Sequence, residues 1–413
     1  MEKPRKVPYY QMESSAIPFT GQKWKGHMGS EGCMPLNTQK TVSMDRLAPG
    51  EPAPPKPTPE QRKAQQAEET RRKLLAQQAK KQQPPKDKPQ GKPPAPDAEE
   101  CENPPVFDML DIPDAMEKMK WPVSAKFARK WFYGPKHIFD GDAKSVQPID
   151  DTTVTLDWAL KFGSVKKKFN ALLAEDIYSD DCIKVAKENV LKRIHGIFVN
   201  QNPASLSFDT TPFLGDIRQF HIDWQFQHAK IRNYNTAEGA TFAPTDLTGS
   251  LAKFSIYVAI GNVVVSGDKY FKYDSKAGTK TYCRDPEIEI THVYVYIKDN
   301  YSFKDEKGES QYLGHWNKHG FIAIPSVIGH LAMDKDYLVT DGFDKPVDTR
   351  RGVFGKLREQ DVYFPIYNKN YREWRDKHNR GGDFMIYSKP KYMKLKKPIK
   401  FSLETLCRPP EKL

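Results

Sequence analysis

The sequence has no glycine-rich phosphate cradle: neither GxGxxG nor GxxxxGK[ST] occurs in its 413 residues. A turn that lays backbone N–H groups on a phosphate needs those glycines, so nucleotide-driven and nicotinamide chemistry find no support. GxSxG and HExxH are missing too, which removes the usual serine elbow and the helical zinc-protease pair. Apolar runs are short. The most hydrophobic, Tyr257 to Val265, is about half the length that a membrane-crossing helix requires. The basic N-terminus is followed by no apolar h-region, so no cleaved secretory signal is expected. No internal repeat of solenoid or propeller length is visible.

Cysteine is scarce. Five are present (Cys33, Cys101, Cys182, Cys283 and Cys407), odd in number, far apart and never as CxxC. That spacing argues against a disulfide framework and a thiolate zinc site, and favours folding in a reducing compartment. Hydrophobic residues, at 38%, are fewer than in an ordinary globular chain, while proline is abundant, with 33 residues. The excess is local, since 14 of these prolines fall between residues 49 and 105. Within that window, Glu60 to Gln83 is rich in good helix formers, but its apolar content is little more than Leu74 and Leu75. No stripe forms that a core would bury, and an unsupported helix is marginal in water. Residues 1–48 are therefore expected to be irregular and 49–105 a low-complexity linker. Together they make a disordered Pro/Gln/Lys-rich arm whose apolar content does not offset the ordering entropy.

Folded character is expected from Val106. Two short helical patterns flank Trp121-Pro122, with Ser124 as cap and Phe127, Trp131 and Phe132 at helical spacing. A clearer helix runs from Ser179 to His195, stopped by Gly196. Strand patterns follow: Phe220, Ile222, Trp224 and Phe226 alternate with polar residues, as do Phe254, Ile256, Val258 and Ile260 before a Gly261-Asn262 turn. Glu287 to Ile297 alternates most strictly, and further strands are expected at 361–366, 383–387 and 392–401. The predicted architecture is α+β, with a helical subdomain at 106–200 and an antiparallel β-rich sheet or barrel at 201–413.

Candidate chemistry gathers at two places. The polar residues after the Glu287–Ile297 strand, Asp299, Tyr301 and His315, offer acid, base and phenol groups. His315 and His319 have zinc-ligand spacing, but they lack the glutamate and sit among turn residues, so no metal site is assigned. No cofactor is identifiable. The second place is YREWRDKHNRGGDF (371–384), where Arg372, Arg375, His378, Arg380 and Asp383 surround a double glycine suited to holding an anionic group. Both places end strands of one proposed sheet and are expected to share a rim. The net charge of +12 is concentrated at the C-terminus, where residues 366–413 carry 13 Lys or Arg against 5 Asp or Glu. Lys394, Lys396 and Lys400 share one parity of the last strand and form a candidate contact for an anionic surface.

The runs YVYIKDNYSF…QYLGHWN (294–317), YREWRDKHNRGGDFMIYS (371–388) and MLDIPDAMEKMKWPVSAKFARKWF (109–132) resemble an uncharacterised family of Gram-negative bacterial proteins. Its members are often encoded beside the spike components of type VI secretion systems. The resemblance implies an antibacterial effector made in the cytoplasm and injected into a target cell. Its partners would be spike or tube proteins and a cognate immunity protein. The alternative it leaves open is a non-catalytic adaptor that loads another effector. A weaker likeness concerns Asp299-Asn300-Tyr301, which is similar to the Asp-x-Tyr-Asp motif of colicin M-type toxins, hydrolases of the lipid-linked peptidoglycan precursor. Ser302 replaces that motif's second aspartate, and His315 is followed by Trp316 where a His-Arg pair is expected.

Overall fold

The computed structural model describes residues 42–53, 107–139, 148–200, 205–232, 245–251, 253–305, 310–318, 320–322 and 362–413, with short pieces elsewhere. The fold is α+β, and its main sheet has seven strands. The central strand, Glu287–Tyr301, lies antiparallel to Lys253–Ser266 along almost its whole length. Its other edge is divided: Phe384–Tyr387 pairs with its end and Lys391–Ser402 with its beginning. Ile149–Asp150 extends the sheet by a parallel pairing to Met385 and Ile386. Gln225–Arg232 and Leu206–Asp209 share the far edge of Lys253–Ser266.

From Val293 to Ile297 every residue of the central strand is buried, so the alternation of its first half gives way to a continuous apolar run. Helices on both faces are the cause. Helix Pro122–Tyr133 lays Phe127 against Tyr301, while Phe220 of helix Ile217–Trp224 meets Tyr294 and Tyr296 on the opposite parity. Each such side chain contributes about 1.5–3 kcal/mol through burial. The buried core is continuous from Val42 to Leu406 and includes both the helical residues before 200 and the sheet after it.

Several local expectations need correction. Phe220 to Trp224 is helical, because Asp216 caps the backbone N–H groups of Arg218 and Gln219 and the apolar residues 220 and 224 share a helical face. Only from Gln225 does a strand begin. Gly261-Asn262 is no turn: Lys253–Ser266 is one strand with a bulge there. A Cβ on Gly261 would stand 2.9 Å from the His292 carbonyl oxygen, so glycine is required for this close approach. Gly196 does not end its helix, which runs from Asp180 to Asn200. Ser124 does not cap its own helix. Instead Asp246, from the short helix Asp246–Ser250, accepts the N–H groups of Val123 and Ser124 at 3.1 and 2.8 Å.

One cysteine pair departs from expectation, for Cys283 and Cys407 form a disulfide. They face each other across paired strands of a second sheet, built on the hairpin Lys269–Asp274/Thr279–Arg284. A separation of 124 residues conceals this in the sequence; the pairing arises because the C-terminal tail folds back along Thr279–Arg284. Cys182 is free and buried, and burial together with Asp176 pushes its thiol up to about 12.

Order also begins before Val106. Residues 42–53 lie against the core, with Val42 and Ala48 buried and Ser43 exchanging backbone hydrogen bonds with Phe107 and Met109. Beyond them, the described positions between 58 and 74 are exposed and largely helical. Among the described residues no helix is long and apolar enough to cross a membrane.

Candidate functional site: a cavity at the end of the central strand

Asp299 and Tyr301 belong to the central strand and not to a loop beyond it. Asp299 stands opposite Ile386 and Tyr301 opposite Phe384, on the parity that faces helix Pro122–Tyr133. There the covering is incomplete, and a cavity of about 490 Å³ opens beside them. One wall is made by Met116, Trp121 and the end of helix Asp246–Ser250, which packs on helix Pro122–Tyr133. A Cβ on Gly249 would lie 2.6 Å from the Ser124 hydroxyl oxygen, so glycine lets the two helices touch. The other wall is strand Tyr312–Asn317, whose Trp316 meets Trp121 edge to face at 6.3 Å. Phe303, stacked at 3.5 Å on Tyr371, completes the lining at the strand end.

Desolvation pushes the Asp299 carboxyl well above the usual carboxylate range, opposed by one hydrogen bond from the Asn300 N–H. Burial raises the Tyr301 phenol, and burial together with Tyr301 raises that of Tyr371. Burial thus favours the protonated form of all three groups, each of which lines the cavity. A carboxyl whose pKa is raised in a concave site is suited to protonating a leaving group.

The second sequence cluster is spent on structure. The carboxylate of Asp383, a buried residue, accepts from Trp131 Nε1 at 3.0 Å, from the Phe139 N–H at 3.1 Å and from Arg375 at 3.2 Å. The glycines beside it permit contact: a Cβ on Gly381 would fall 2.6 Å from the Trp131 ring, and one on Gly382 2.5 Å from the Pro135 carbonyl. His378 places Nδ1 2.7 Å from a Glu51 carboxylate oxygen and Nε2 2.8 Å from the Met44 carbonyl. Lys377 joins Asp45 at 2.7 Å, and the charge of Arg380 helps hold the Glu51 carboxyl down, behind an Ala48 N–H and His378. This turn thus fastens residues 42–53 to the core. Arg372 is paired with Asp305 at 2.7 Å. Burial works against that carboxylate, but the Gln311 N–H, Ser310, Asn368 and Arg372 bring it down to about 2.

The two predicted segments therefore meet in the sheet, with Tyr301 beside Phe384, while their side chains serve different places. Asp299 and Tyr301 line the cavity; His378, Arg380 and Asp383 do not. His315 lies in strand Tyr312–Asn317 opposite Pro365 and Ile322, and its side chain is outside the described residues. Lys394, Lys396 and Lys400 are exposed on one parity of the last strand, with Leu395 and Ile399 buried on the other.

Sequence reasoning missed the walls formed by Trp121, Trp316 and the Asp246–Ser250 helix. A Thr245–Thr248 capping box was the available signal for that helix. It also missed a titratable group on the other face, where His221 Nδ1 lies 2.9 Å from the Tyr296 hydroxyl. Burial, with help from Lys298 and His228, pushes His221 down to about 3. Among the described residues no cluster of His, Cys, Asp and Glu is arranged to hold a metal ion.

A family of unknown function, DUF6402, matches residues 107–403. No curated protein matches the chain, and no solved structure does.

Proposed function

The chain belongs to the DUF6402 family, and from the chemistry of its cavity we propose that it is an antibacterial effector whose folded core is a hydrolase. Delivery by a type VI secretion apparatus and action on an envelope component are part of this reading; the resemblance of segments 109–132, 294–317 and 371–388 supports them. One observation carries the catalytic assignment: Asp299 is a desolvated carboxyl lining a 490 Å³ cavity without a cationic partner among the described residues. In hydrolysis Asp299 gives its proton to the leaving oxygen as the bond to the electrophilic centre breaks. Water adds its hydroxyl to that centre and returns its remaining proton to the carboxylate, so the acid is regenerated. Tyr301 and Tyr371 are the neighbouring donors that steady charge on the reacting oxygen.

The full chain, produced in a naive bacterial host in the cytoplasm or directed to the periplasm, is expected to stop growth in one of the two. Asp299→Asn keeps the shape and removes the acid, lowering activity about 10²–10⁴-fold. A toxic wild type with an equally toxic Asp299→Asn would remove the catalytic assignment.

The second reading is a non-catalytic adaptor that loads another effector onto the secretion spike. The exposed helical positions between 58 and 74 favour it, for Leu74 is 53% exposed and offers an apolar contact outside the core. A full chain harmless in both compartments would move the assignment to this reading.

A further inference from the structure

We propose that the cavity beside Asp299 and Tyr301 is an oligosaccharide-binding site, a substrate class that rests on the reading of this cavity as the active site. Its volume of about 490 Å³ falls within the roughly 300–1,000 Å³ of small-molecule sites. The lining joins two kinds of surface. Trp121, Trp316, Tyr312 and Tyr371 supply aromatic surface, and Asn300, Ser302 and Gln311 supply uncharged donors and acceptors, while Asn368, Thr248 and Ser250 are bonded within the protein.

A pyranose ring matches that division. Its axial C–H groups make an apolar face for an aromatic side chain, and its equatorial hydroxyls each need a donor or acceptor when they leave water. Amide and hydroxyl side chains fill that need without the desolvation penalty of a full charge. The lysines of the lining, Lys253 and Lys304, stand exposed, so ionic recognition is confined to the mouth. An acidic peptide or a nucleotide would place charges among the aromatic rings, away from the exposed lysines Lys253 and Lys304. A lipid chain would leave the amide groups unpaired.

The tryptophans provide the readout. Chitotetraose added to the full-length protein should change the intrinsic fluorescence in a saturable way, because Trp121 and Trp316 both line the cavity. Asn300→Ala and Gln311→Ala should each weaken that binding about tenfold, with circular dichroism and melting temperature unchanged. Asp299→Asn should still bind, since its amide keeps hydrogen-bonding capacity. The proposal fails if millimolar chitotetraose produces no saturable change in folded wild type. It also fails if both wall variants bind as the wild type does. Binding by a protein harmless to bacteria would overturn the effector reading and leave the saccharide site standing. Toxicity that depends on Asp299, without saccharide binding, would do the reverse.

Discussion

Two aspartates, Asp299 and Asp383, lie near neighbouring strands of one sheet and have opposite environments. Asp383 is saturated: an indole, a backbone N–H and a guanidinium all point at it. Asp299 sits one strand away with a single backbone donor and a cavity in front of it. The first arrangement commits the side chain to structure, and the second disfavours the ionised form of Asp299. The difference teaches that charged residues gathered at a glycine turn say little about chemistry. Groups that satisfy one another have nothing left for a ligand, whereas a polar group left short of partners beside open volume does.

The comparison breaks most sharply at Asp383. Asp383→Ala leaves the Arg375 guanidinium buried without its counter-charge and the Trp131 N–H without an acceptor. A loss of about 3–5 kcal/mol is expected, as for other buried pairs from which one partner is removed. Urea unfolding should show it as a lower midpoint, with residues 42–53 becoming sensitive to protease as the helix end loosens. A variant with wild-type stability would mean that Asp383 is not the structural anchor described.

Asp299 should behave in the contrary direction. Its folded-state carboxyl lies above the unfolded value of about 3.8, so between the two values the folded protein binds more protons than the unfolded chain. Stability attributable to this group is then complete below the unfolded value and is lost as pH rises through the folded one. Asn does not titrate. Asp299→Asn should therefore gain stability relative to wild type as pH rises above about 4. Paired thermal melts across that range would show the gap opening. A gap that stays flat, or that favours the wild type at high pH, would place the carboxylate in a solvated or paired environment.

Much of the fold was legible because local pattern and tertiary setting agree. Glu287–Ile297 alternates and belongs to the central strand; Phe127, Trp131 and Phe132, at helical spacing, are buried on helix Pro122–Tyr133. Disagreement arose where tertiary contacts decide. Phe220 to Phe226 alternates by chance across a helix end, and the Asp216 cap outweighs the pattern. The Cys283–Cys407 bond depends on the return path of the tail. The cavity needed residues from five distant segments, near 121, 249, 301, 313 and 371. Of these, only the strand end and the 371–384 patch drew attention in the sequence. Asp299 could be named there as a candidate acid, but its isolation from cations is a property of packing.

The smallest effect on stability is expected at the last strand, where the comparison between paired and unpaired charge moves to the surface. Lys394, Lys396 and Lys400 are exposed, and of the three Lys400 has an acidic neighbour, Glu289 at 3.6 Å. Reversing all three to glutamate removes that weak pair and sets a second carboxylate opposite Glu289, a change within about 1 kcal/mol at the surface. The buried residues of the strand, Leu395 and Ile399, keep their places. Binding is the sharper readout. A control reversal of Lys166, Lys167 and Lys168, exposed on helix Gly163–Ala174, changes the net charge by the same amount. If the last strand docks an anionic surface, its triple variant should leave an anionic resin or anionic vesicles at lower salt than the helix variant does. Equal elution of the two would show that net charge alone governs retention, and the lysines of the last strand would then be a solvated face.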